Sequence, residues 1–101
     1  MMKPAHARMA RAALRWSLLD VQKRTGINKN TIVRFESGKG ILLTTATRLE
    51  ELFVRAGISF IYEDEARGPG VVISKELSHR NGDVPEVGTK YKPTKRKAAS
   101  K

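Results

Sequence analysis

The residues best equipped for chemistry lie in one short run, Asn28-Lys29-Asn30-Thr31-Ile32-Val33-Arg34-Phe35-Glu36. Taken as a helix from Lys29 to about Glu36, the run turns Ile32 and Phe35 inward. Asn28, Lys29, Asn30, Val33 and Arg34 are left outward, a set without a carboxylate. A face that only needs solvation mixes both signs of charge, whereas one that approaches phosphates cannot. Lysine and arginine donate to guanine O6 and N7, and asparagine pairs bidentately with adenine, so this face carries the donors that major-groove reading requires.

Other chemistries lack their parts. The chain has no cysteine, which excludes disulfides, thiolate nucleophiles and thiolate zinc sites. His6 and His79 lie near opposite ends without the spacing of metal ligands, and they are assigned no role. Glu63-Asp64-Glu65 is not followed by EF-hand spacing, and no helix N-terminus follows Gly68-Pro69-Gly70 to make a phosphate cradle. Without a Ser/His/Asp set or a carboxylate dyad, an enzyme is the least expected class, and no cofactor or metal is expected.

Charge points the same way. The 101 residues hold 20 Lys and Arg against 10 Asp and Glu, a net charge of +10, the electrostatic footprint of a partner for polyanions. Residues 1–48 carry +8, residues 49–76 carry −3 and residues 77–101 carry +5, so the middle repels what the ends attract. The uncharged apolar stretches, Ile41 to Ala46 among them, are far short of the ~20 residues of a spanning helix. Met1 to Ser17 lacks an apolar region long enough for a secretory signal. A cytoplasmic location is expected.

The elements that must position the run are legible from their punctuation. Ala7, Ala10 and Leu14, with Ala13 beside them, mark the inner face of a first helix, and Arg11 falls on the same stripe. Ser17 with Asp20 three residues on predicts a capping box opening a second helix that runs to about Thr25 and ends at Gly26. Asn28 is placed to cap the third. A fourth helix, opened by Thr44 or Thr45, shows Leu49, Leu52, Phe53 and Ala56 in period and closes at Gly57. Alternation in Ile58, Phe60 and Tyr62, then a polar loop, then Val71 to Ser74, predicts a β-hairpin whose inner face packs on the fourth helix. From about Leu77 the chain is polar and rich in Lys, Gly and Pro, the composition of a disordered basic tail. Three units follow: a helical domain over 1–57, a hairpin over 58–76 and a tail over 77–101.

Two short helices joined by Gly26-Ile27-Asn28 have the arrangement of a helix-turn-helix. The run from Arg11 to Lys39, with Ser17, Gly26, Ile32, Phe35, Glu36 and Gly38 in register, resembles the Xre/Cro family of lambda-repressor-like regulators. The resemblance covers residues 7–57. It implies a mainly α fold of about four helices, here followed by the hairpin and tail. The family's base-reading positions fall on Lys29, Asn30 and Arg34, which the facing argument also selects. Its phosphate-anchoring positions fall on Ser17, Asn28 and the loop from Ser37 to Gly40; the phosphate-contacting set expected here is Ser17, Asn28, Thr31, Ser37 and Lys39. The family's pairing of a first-helix Arg with the Glu ending the third implies an ion pair between Arg11 and Glu36, which would account for the charge on the apolar stripe.

Two positions depart from the family. Leu18 stands where a phosphate-touching Gln is usual, and Gln22 where a small residue is usual. Trp16 is expected in packing. The function implied is a sequence-specific DNA-binding transcriptional regulator, a repressor on a palindromic operator, acting as a homodimer on double-stranded DNA and of bacterial or phage origin. The alternative is an antitoxin that neutralises a toxin protein and autoregulates its operon. The tail is expected to touch phosphates without sequence preference.

Overall fold

The structure, a computed structural model, describes residues 1–80. Helix α1 (Pro4–Leu14) opens with proline at its first position, and the Lys3 N–H donates to His6 Nδ1 at 3.0 Å. Helix α2 (Leu18–Thr25) begins with the predicted capping box: Ser17 Oγ accepts from the Asp20 N–H at 3.0 Å, and the Ser17 N–H donates to Asp20 Oδ2 at 2.8 Å. It ends at Gly26, whose φ of +77° is open to glycine without steric cost. Helix α3 (Lys29–Glu36) follows after two residues, and α4 (Leu43–Arg55) after the Ser37–Leu42 loop.

Strands β1 (Ile58–Ile61) and β2 (Gly70–Ile73) pair antiparallel, with Ile58 opposite Ile73 and Ile61 opposite Gly70. A last helix, α5 (Lys75–Arg80), closes the described chain. One apolar core joins all of this. Ala7, Ala10 and Leu14 of α1 meet Val21, Ile32 and Phe35 of the central pair, Leu49 and Phe53 of α4, and Ile58 of β1. The hairpin is therefore continuous with the helical core, packing β1 on α4 and β2 on α1.

Several boundaries differ from expectation for identifiable reasons. Helix α4 starts two residues early: Leu42 is its N-cap with no side-chain cap bond, and the first-turn bond runs from the Ala46 N–H to the Leu42 carbonyl at 3.0 Å. Packing of half-buried Ile41 and buried Ala46 sets that start, leaving Thr44 and Thr45 inside the first turn. Each strand is shifted or shortened by a residue, and Asp64 Oδ1 folds the connecting loop by accepting from the Ala66 and Arg67 N–H groups.

Leu77, expected to begin a structureless tail, lies in α5 and is 3% exposed. Gly57 makes room for it. With φ at +111°, a Cβ there would sit 2.9 Å from Ser74 Oγ and 3.4 Å from Leu77 Cβ, and the Gly57 carbonyl accepts from the Ser74 N–H at 2.9 Å. The expected boundary between residues 76 and 77 thus falls inside a packed helix. The rest of the expected basic tail, residues 81–101, lies outside the described residues.

Candidate nucleic-acid interface

Helix α3 is only eight residues long, too short to hold its own shape in water, so its ends must be held by its surroundings. At the N-terminus two side chains satisfy backbone donors that the helix leaves open. Asn28 Oδ1 accepts from the Asn30 N–H at 2.7 Å, and Gln22 Oε1, reaching from α2, accepts from the Lys29 N–H at 2.8 Å. Both amide groups keep their N–H donors for other partners.

At the C-terminus the hold comes from α1. Arg11 meets the Glu36 carboxylate through two parallel bonds, Nε to Oε2 at 2.8 Å and Nη2 to Oε1 at 2.9 Å, and donates a third from Nη1 to the Trp16 carbonyl at 3.1 Å. The hydrogen bond to Glu36 raises the Arg11 pKa further above its ordinary value. Arg8 adds a bond to the Glu36 backbone carbonyl, one of the acceptors that a helix end leaves open. The ion pair expected from the family resemblance is present and two-pronged.

Between these anchors α3 buries Ile32 and Phe35 and exposes Lys29, Asn30, Val33 and Arg34, with Thr31 half-buried. No carboxylate stands on the exposed side. Ser37 and Lys39 are also exposed, just past the helix. Exposed Ser17 caps α2, and its hydroxyl hydrogen is free of the cap bond because the oxygen is the acceptor. The hydrogen bond from the Ser17 N–H holds the Asp20 carboxyl below its usual range, so the start of α2 carries a negative charge beside the expected Ser17 anchor.

A family model described as helix-turn-helix matches residues 8–53. This segment is a helix-turn-helix domain of the Xre/lambda-repressor-like family. The family is one of DNA-binding regulators, and the match ends at Phe53, before the hairpin and α5. No curated protein and no solved structure is matched by the chain.

Within the helix-turn-helix domain the structure places Lys29, Asn30 and Arg34 on one exposed flank of α3, with Asn28 at its head and Ser37 and Lys39 at its foot. From the sequence Gln22 reads as a packing departure and Arg8 carries no expected role, yet both grip α3. Gln22 lies seven residues before Lys29, and nothing in the chain's periodicity announces that an α2 side chain will cap the next helix. His6, assigned nothing, is fully buried: Nδ1 accepts from Lys3, Nε2 lies 2.7 Å from the Ile61 carbonyl, and the ring sits edge-on to Phe60 and Tyr62. Trp16 packs at 6.4 Å from Phe53, with the Arg24 guanidinium 4.3 Å from the centroid of its ring. Among the described residues no helix is long and apolar enough to cross a membrane.

Proposed function

We propose that the chain is a sequence-specific transcriptional repressor, without enzymatic activity, that lays α3 in the major groove and occludes its operator. Lys29, Asn30 and Arg34 read base edges, while Ser17, Asn28, Thr31, Ser37 and Lys39 contact phosphates. One observation carries the reading: a carboxylate-free, donor-bearing flank of α3, exposed along its length and anchored at both ends by Gln22, Asn28, Arg8 and Arg11. Anchoring matters because base discrimination requires the donors to be held in place before binding, at a worth of about 1–3 kcal/mol per bidentate contact.

Regulators of this architecture act as two-fold dimers on half-sites ~34 Å apart. The hairpin offers a surface for that contact, since Val72 is 51% and Tyr62 45% exposed on a segment whose net charge suits a side turned away from DNA. The same exposed residues would serve a toxin in the antitoxin reading, which a toxin-sized reading frame next to the gene would favour; a chain that stays monomeric on DNA would count against the hairpin contact.

Selection of bound duplexes from random DNA at about 0.15 M salt is expected to return a palindrome. Arg34→Ala should then lose about 1–3 kcal/mol on that site and relax a single base position. Equal losses on selected and scrambled duplexes would remove Arg34 from the base-reading set.

A further inference from the structure

A pocket of about 200 Å³ opens between the end of α2 and the outer side of α4, lined by Arg24, Thr25, Arg48, Glu51 and Arg55. On α4 the three residues stand at i, i+3 and i+7, one stripe of the helix. Two of the guanidinium groups are already tied down: Arg24 lies over the Trp16 ring, and Arg48 donates to the Thr25 carbonyl. Among the described residues the ion pairs are Lys3 with Glu63 and Arg11 with Glu36, so none of the three arginines is neutralised by a carboxylate at contact distance. Glu51 is the one acid in the lining.

The pocket is not part of the reading face. Gln22, which points to the head of α3, and Arg24 are two residues apart on α2, about 160° around its axis. Three convergent guanidinium groups with one carboxylate leave an excess of positive charge and a surplus of N–H donors. Guanidinium forks match tetrahedral oxyanions two bonds at a time. The volume exceeds several times the ~30 Å³ share of one liquid water, which accommodates a phosphate and part of its shell.

We propose that this α2–α4 pocket binds a phosphoryl group, with Arg24 and Arg55 as its principal ligands and Arg48 supporting them. The group would come from a small phosphorylated ligand or from a DNA phosphate flanking the site read by α3. The DNA source rests on the proposed function, whereas the free-ligand source does not.

The test is a titration of the full chain with inorganic phosphate and pyrophosphate at constant ionic strength set with chloride, followed by amide chemical shifts. It is paired with duplex binding across a salt series. Saturable shifts at Thr25, Arg48 and Glu51 with half-saturation near ~1 mM are expected for a free-ligand site, at least tenfold weaker in the Arg24→Gln/Arg55→Gln variant and tighter in Glu51→Gln. Should the ligand be DNA backbone instead, the double variant flattens the salt dependence by about two units on every sequence alike. Lys23→Gln, an exposed α2 change that is not part of the pocket lining, keeps the generic charge effect in view. The proposal is overturned by absent saturation together with an unaltered salt slope, or by Lys23→Gln weakening phosphate as much as the double variant. The positions changed are exposed, and because Arg24 also lies over the Trp16 ring, a thermal melt of the double variant separates lost binding from lost fold.

Discussion

The clamp between α1 and α3 makes the sharpest energetic prediction. The Glu36 side chain is 9% exposed and that of Arg11 25%, with both carboxylate oxygens engaged at 2.8 and 2.9 Å. Removing one partner of a buried pair costs about 3–5 kcal/mol because the other charge stays buried. The two removals are unequal here. Arg11→Met strands a nearly buried carboxylate, beside which Arg8 bonds only the backbone carbonyl of Glu36, and should cost about 3 kcal/mol. Glu36→Leu leaves a guanidinium that already reaches solvent and keeps its bond to Trp16, so roughly 2 kcal/mol is expected after allowing for screening. Changing both replaces a charged pair by apolar contact and should lie within about 1 kcal/mol of the parent. A urea-melt double-mutant cycle at 25 °C therefore yields a coupling of about 3 kcal/mol or more. With a slope near 1 kcal/mol per molar urea, Arg11→Met moves the midpoint by about 3 M, a large part of the ~5–15 kcal/mol that stabilises a small domain. Additive single effects, with coupling under about 0.5 kcal/mol, would refute the buried-clamp argument.

Three further outcomes are expected. His6→Ala removes a fully buried ring and its two hydrogen bonds, and should lower unfolding free energy by about 2–4 kcal/mol while the Lys3 amide loses hydrogen-exchange protection; an unchanged Lys3 amide would argue against the bond. Leu77→Ala should cost about 2–3 kcal/mol if α5 packs on the core, against a few tenths for a solvated tail, and a thermal melt separates the two. Asp20, held below its usual range chiefly by the Ser17 N–H, favours the folded state above its unfolded pKa and loses that contribution as pH falls through its lower folded value. The stability gap between the parent and Asp20→Asn should accordingly shrink below about pH 4; a gap independent of pH would exclude the capping carboxylate as its source.

Local signals carried most of the domain in the sequence. The Ser17/Asp20 box, Gly26 and Asn28 punctuate α2 and α3 through bonds spanning two to four residues, so type and spacing suffice to find them. The exposed flank of α3 follows from period and charge. What escaped was non-local. Gln22 reaches across seven residues, Arg8 across 28 and His6 across 55, and none has a neighbour in sequence that reveals its partner. The start of α4 was misplaced for a related reason: a threonine makes a plausible cap, but the burial of Ile41 and Ala46 decides where the helix begins. Leu77 failed as a composition argument, because one buried leucine in polar company is invisible until Gly57 is seen to leave it space.

The two longest of these contacts share one carrier. Helix α1 meets β1 through His6 at the Ile61 carbonyl and grips the end of α3 through Arg8 and Arg11. Only five residues separate His6 from Arg11, about 7.5 Å of helical rise. A hairpin-borne dimer contact would therefore reach α3 by a short and stiff path, through a ring bonded on both nitrogens and an arginine bonded to both Glu36 and Trp16. Flexible linkers spread half-site spacing, whereas a path of this kind fixes it, and register against ~34 Å of duplex then becomes part of specificity. Loosening His6 should thus weaken a correctly spaced palindrome more than a single half-site, although His6 itself lies outside the reading set.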